Sequence, residues 1–369
     1  MATINENERI FGTVIELLAH LQTVESVTKW DEVNSDFTEF SVSDNNNPFP
    51  QLGGDEFGVN VSFDYGYTKM PLRHTALNSI LARADVSGRG VKRLFDSDKE
   101  KFCRHLNDYY DLKPESRKNM LALIQDGKLS ALHSGNYARI PLTEIFYEIN
   151  EYLIENYDGV THLASYWSWE YTEARYEIRD EYFIEVYTDL LSKYLSDFDF
   201  AVQLRVISSD VSESAVRVYP YVINGSRIIP LAGTTTTRHY GNEANISKVK
   251  EGFGESFIKF EASCRSLAAL ADVSINNQKN TMIKAFTWLR IPQKYASDLC
   301  EKYDNRHLTN ALSVYTAMSE VLDTFKAKGM SDSEILRYEE QLCKLLTINE
   351  RKWKSFDVSG VVAWNAKDK

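Results

Sequence analysis

The 369 residues are 43% hydrophobic and 26% charged, with 17 glycines and 8 prolines, a composition that excludes a disordered, collagen-like or mucin-like chain. No apolar run approaches the roughly 18 residues of a membrane helix, and Met1–Glu6 lacks the blocks of a signal peptide, so a cytosolic protein with no membrane partner is expected. The net charge of −11 is unevenly spread: residues 71–139 hold 13 cations against 8 carboxylates and residues 214–300 hold 11 against 6, while the rest is acidic or balanced. Two basic islands therefore sit in an acidic chain, where they either pair with carboxylates or join into one positive surface.

In chain order, residues 7–25 set Ile10, Phe11, Val14, Leu17, Leu18 and Leu21 at helical spacing and read as an amphipathic helix. The Asn-, Pro- and Gly-rich stretch Ser41–Gly54 reads as a linker, which makes residues 1–54 an N-terminal helical arm. Phe57, Val59, Val61 and Phe63 alternate with small or polar residues, the period of a half-buried strand. From Leu72 to Asp111 the period is helical, interrupted by Gly88 and Gly90. Thr75–His105, with Arg83, Arg89, Lys92, Arg93 and Arg104, has two readings: a plain packing unit of helices, or a helix-turn-helix on DNA.

Asp126-Gly127 between the apolar runs Leu121–Ile124 and Leu129–Leu132 marks a β-hairpin. Thr143 is the expected N-cap of a helix bearing Ile145, Phe146, Ile149, Tyr152 and Leu153, closed by Gly159. Strand-like sequence follows at Val160–Tyr171, Tyr182–Tyr187, Phe200–Ile207 and Ala215–Leu231, the last folded at Asn224-Gly225. The final third is helical, through Ile246–Leu267, Leu308–Phe325 and a helix from the capping box Ser331/Glu334 that carries Ile335, Tyr338 and Leu342. The fold class expected is α+β, a central antiparallel or mixed β-sheet with flanking helices in residues 55–240 and a helical C-terminal region in residues 241–369.

The four cysteines, Cys103, Cys264, Cys300 and Cys343, form no CxxC pair and read as reduced thiols. Carboxylate pairs such as Asp197/Asp199 and Glu181/Glu185 arise by chance among 53 acidic residues, and no HExxH, GxSxG or Walker lysine is present. No catalytic residue, metal or cofactor is therefore assigned. The segment Gly233–Asn242 concentrates four threonines, Arg238 and His239 before a helix that starts with Lys248 and Lys250, the parts of a phosphate-binding turn; a turn satisfied by its own hydroxyls is the other reading. The aromatic and acidic band Tyr166–Tyr171 with Tyr176, Tyr182, Phe183 and Tyr187 reads as sheet packing, or as a surface for a host protein.

Several of these segments together resemble the phage/plasmid-like protein family of mobile elements. The resemblance spans residues 57–330. It rests on helices Thr75–Leu106, the hairpin Leu121–Tyr137, Val206-Ile207-Ser208-Ser209-Asp210 with the strand Ala215–Val222, Arg238-His239-Tyr240-Gly241-Asn242, and Asn310–Asp323. It implies a phage or plasmid setting in a bacterial host and no particular reaction. In element order alone, the chain is also similar to single-strand annealing recombinases, and this analogy nominates Arg139, Arg217, Arg227, Arg238, Lys248 and Lys250 as a DNA groove. The expected function is DNA handling without covalent chemistry, on single-stranded DNA and as a homo-oligomer; the alternative is an accessory protein that modulates a host protein.

Overall fold

The structure, a computed structural model, describes residues 8–43, 58–179, 200–211, 215–224, 227–232, 234–238, 246–304, 308–330 and 332–364. It is an α+β fold in which every pair of named strands is antiparallel. Among the described residues the main sheet has seven strands. Along it run β1 (Glu8–Phe11), β8 (Val160–Ser168), β9 (Thr172–Ile178), β10 (Phe200–Ser208), β11 (Ala215–Asn224) and β12 (Arg227–Pro230), with β13 (Thr235–Arg238) also paired to β11. A second sheet joins β2 (Thr28–Asn34), β6 (Asn119–Gln125) and β7 (Lys128–Ser134), and a third joins β3 (Glu39–Val42), β4 (Val59–Ser62) and β5 (Met70–Pro71).

The expected N-terminal arm is woven into these sheets. Helix α1 (Val14–Ser26) takes up the later part of the stretch 7–25 read as helical, opened by a capping box in which Thr13 Oγ1 accepts from Glu16 N–H and Glu16 Oε2 accepts from Thr13 N–H. Residues 8–11, however, extend as β1 along β8, and residues 28–34 and 39–42 pair with β6 and β4. These short, charge-rich segments lack a clean period of two, and it is the distant partner strand that makes them extended.

Asp126 and Gly127 both adopt positive φ, 51° and 74°, as a two-residue hairpin turn of the expected kind demands, and β6 and β7 follow on either side. Strand β9 falls between the two stretches read as strands. Tyr182–Tyr187 and the acidic pairs at 181/185 and 197/199 lie outside the described residues. Helix α5 (Leu142–Asn156) begins one residue before Thr143, which does not cap it. Thr143 instead donates its N–H and hydroxyl to Glu25 at the end of α1.

Two cores result. Alternate residues of the main sheet, Ala174 and Tyr176 of β9, Val202, Leu204 and Val206 of β10, and Val216 and Val218 of β11, are buried with Leu17 and Leu21 of α1, Phe146 and Ile149 of α5, and Phe260 and Leu267 of α6 (Ile246–Ala269). The same core takes in Phe286 of α7 (Gln278–Trp288), Leu299 of α8 (Gln293–Lys302), Tyr315 of α9 (Ala311–Ser319), Phe325 of α10 (Val321–Ala327), Ile335 of α11 (Asp332–Cys343) and Trp353 of α12 (Glu350–Phe356). Helices α7, α8 and α12 were not read from the sequence, and the single run expected over 308–325 divides into α9 and α10 at Glu320. The Glu320 carboxylate there takes the Tyr303 hydroxyl and the Lys302 ammonium, both at 2.5 Å.

The second core gathers Ile80 of α2 (Ala76–Arg83), Phe95 of α3 (Arg89–Ser97) and Phe102, Leu106 and Tyr110 of α4 (Lys99–Asp111) against Phe40, Val61, Met120 and Leu132 of the two small sheets. Trp167, Trp169 and Tyr176 of the aromatic band are buried, so this part of the band packs the sheet. Among the described residues no helix is long and apolar enough to cross a membrane.

Candidate nucleic-acid interface

Gly88, at φ 105°, turns the chain into α3, a nine-residue helix. Phe95 is buried and Val91 and Leu94 half-buried against the second core, while Arg89, Lys92, Arg93 and Asp96 are exposed. At 100° per residue these four positions share an arc of about 100°, so three cations and one carboxylate form the outer face. Among the described residues none of the three cations has an ion-pair partner. A Cβ on Gly88 or Gly90 would meet nothing within 4 Å, so the first turn of α3, which no side chain caps, lies open to a phosphate. Helix α4, packed on α3, exposes Lys101 and Arg104 in addition.

The cations nominated by order in the chain are placed differently. Lys250 on α6 forms an ion pair with Glu148 of α5, whose carboxylate holds the ammonium above its ordinary pKa. Arg217 on β11 lies 3.6 Å from Glu340 of α11 and donates to the Tyr219 hydroxyl at 3.2 Å. These two pairs lie on opposite sides of the main sheet, one beneath α5 and the other beneath α11. Lys248 is half-buried. Arg227 and Arg238 are register partners of Asn224 and Ala215, at opposite ends of β11, and His239 lies outside the described residues.

Part of the expected phosphate turn is strand. Thr235–Arg238 pairs with β11, and the buried Thr235 hydroxyl is 2.5 Å from that of Ser256 on α6, so this threonine joins strand to helix. Residues 239–245 lie outside the described residues.

Arg139 is exposed, with its guanidinium 5.8 Å from the centre of the Trp30 ring. Trp30 stacks on Tyr137, whose ring stacks on His133 at 4.0 Å. His133 Nε2 lies 2.7 Å from the Asp210 carbonyl, which can only accept, so this nitrogen carries the proton. Two segments behind the family resemblance thus meet, at the junction of the hairpin and β10.

Burial pushes the Asp210 carboxyl up to about 7; Glu25 adds to the rise and a hydrogen bond from Tyr137 opposes it. The folded state therefore holds a proton on Asp210 that the unfolded chain releases near pH 4. The associated stability is full below that pH and is lost as pH rises through 7. Asp210→Asn is expected to stabilise the protein at pH 8, with the advantage shrinking as pH falls below 7. Urea titrations at pH 5 and 8 measure this, and an equal effect at both would refute the assignment.

Arg205 and Glu339, a buried ion pair between β10 and α11, were not read from the sequence, although an arginine inside the apolar run Phe200–Ile207 is a signal that its charge meets a partner. Comparison with protein-family models, curated proteins and solved structures returns no match, and the functional reading rests on the geometry of these residues.

Proposed function

We propose that this chain binds DNA without covalent chemistry, gripping the phosphate backbone through the exposed basic face of α3, in the phage or plasmid setting that its family resemblance implies. The observation that carries the reading is the set Arg89, Lys92 and Arg93, three exposed cations with no ion-pair partner among the described residues, in a chain of net charge −11. Lys250 and Arg217, engaged by Glu148 and Glu340, have less to offer a phosphate. The proposal therefore moves the interface from the sheet to the helical unit 76–111.

Fluorescence anisotropy of labelled single- and double-stranded oligonucleotides across a salt series tests it. Each phosphate contact contributes about 0.7 to 0.9 to the slope of log K against log salt. The variant Arg89→Gln/Lys92→Gln/Arg93→Gln is expected to bind more weakly and to shallow the slope by roughly 2 to 3, while Lys250→Gln leaves it nearly unchanged. The single-stranded arm tests the expected preference for single-stranded DNA, and light scattering on the same sample tests the expected self-association. Absent binding at low salt, or a triple variant that binds as the parent does, would defeat the proposal.

A further inference from the structure

The face of the main sheet opposite α1 and α5 is polar, and a cavity of about 200 Å³ opens between it and the helices α10 and α11. In this row of the sheet the register sets Arg205 beside Arg175 on one side and Tyr219 on the other. Arg205 and Arg175 line the cavity with Lys326 of α10. The pocket is smaller than the roughly 300 to 1,000 Å³ typical of drug-sized sites and has room for a molecule of about ten heavy atoms.

Its charges do not cancel. Glu173 accepts from Arg175, and Glu339 accepts from Arg205. Lys326 is exposed and has no ion-pair partner among the described residues. Among the lining residues and their ion-pair partners three cations meet two carboxylates, an excess of one positive charge, and Glu8 lies beyond them on the Tyr166 hydroxyl. Arg205 is also short of an acceptor: it is 7% exposed, the rings of Tyr219 and Tyr221 flank its guanidinium at 5.2 and 5.8 Å, and its buried Nε finds no hydrogen-bond partner among the described residues. Buried donors are rarely left unmet, and a guanidinium is shaped for a carboxylate. The remaining walls suit a flat or apolar body, with Tyr166 and Tyr171 at ring centroids 5.2 Å apart on one side and Ile335 and Leu336 on the other.

We propose that this cavity binds a small organic monoanion, a carboxylate carried on a planar or apolar body, with the carboxylate held by Arg175, Lys326 and Arg205 and the body against Tyr166 and Ile335. A phosphate monoester fits less well, because its second negative charge exceeds the single positive charge available and meets Glu173. The site is separate from α3 and independent of DNA binding.

The test uses the full chain with ¹⁵N-labelled arginine and follows the Nε–Hε resonances while benzoate is added, with benzamide as the neutral isostere and phenyl phosphate as the dianion. Benzoate is expected to produce saturable shifts and benzamide none, with phenyl phosphate binding more weakly than benzoate. Lys326 is exposed, so Lys326→Gln leaves the fold intact, and Arg175→Lys keeps a cation beside the buried Glu173 while removing the fork that grips a carboxylate; each lowers benzoate affinity roughly tenfold, the scale of a lost charge-assisted hydrogen bond. The proposal is overturned if benzoate does not saturate, if benzamide matches it, or if both variants bind it as the parent does.

Discussion

Replacing Arg205 with methionine is expected to destabilise the protein by about 3 to 5 kcal/mol, whereas Arg205→Met combined with Glu339→Leu returns it close to the parent or above. The two side chains are 8% and 5% exposed and join β10 to α11 across 134 residues of chain. Burial opposes the charge on Arg205, yet Glu339 and Glu173 outweigh it and hold the guanidinium protonated. The single substitution leaves Glu339 ionised or forces it to take up a proton inside the protein, and either is costly. The double substitution removes both desolvation penalties and keeps most of the volume. Urea midpoints at matched slopes decide the matter, and a single variant within about 1 kcal/mol of the parent would show that the pair is wetter than the structure has it.

Trp167→Ala is expected to cost a similar amount, about 3 to 5 kcal/mol, through a cavity that its neighbours cannot fill. Trp167 is 1% exposed in β8 and meets His20 of α1 edge-on at 4.4 Å and Trp169 at 4.8 Å, so it fastens the N-terminal helix to the main sheet. Trp288, 39% exposed at the end of α7, serves as the comparison, and Trp288→Ala is expected to cost about 1 kcal/mol or less. Equal losses from the two substitutions would contradict the burial pattern that separates them.

The outer face of α3 was legible as a pattern, because Val91, Leu94 and Phe95 recur on one side and Arg89, Lys92 and Arg93 on the other. Its freedom from ion pairs was not legible, since that depends on which carboxylates the fold brings near. The same holds in reverse for Lys250 and Arg217: they look alike in a charge count, and only their neighbours Glu148 and Glu340 distinguish them from Arg93. The tetrathreonine segment illustrates a different failure, in which residues that suit a turn were drawn into a strand by the free edge of β11.

What the sequence determined by itself is local. The Asp126-Gly127 hairpin, the apolar stripe of helix α1, the α5 stripe and the α+β class follow from turn chemistry and periodicity, which act within a few residues. The tertiary structure alone decided that residues 8–11 and 28–34 are strands, that Glu339 reaches Arg205, and that a charged cavity lies on the far face of the sheet. These features exist because segments 85 or more residues apart satisfy one another's backbone groups and charges, and no short window of sequence contains both partners.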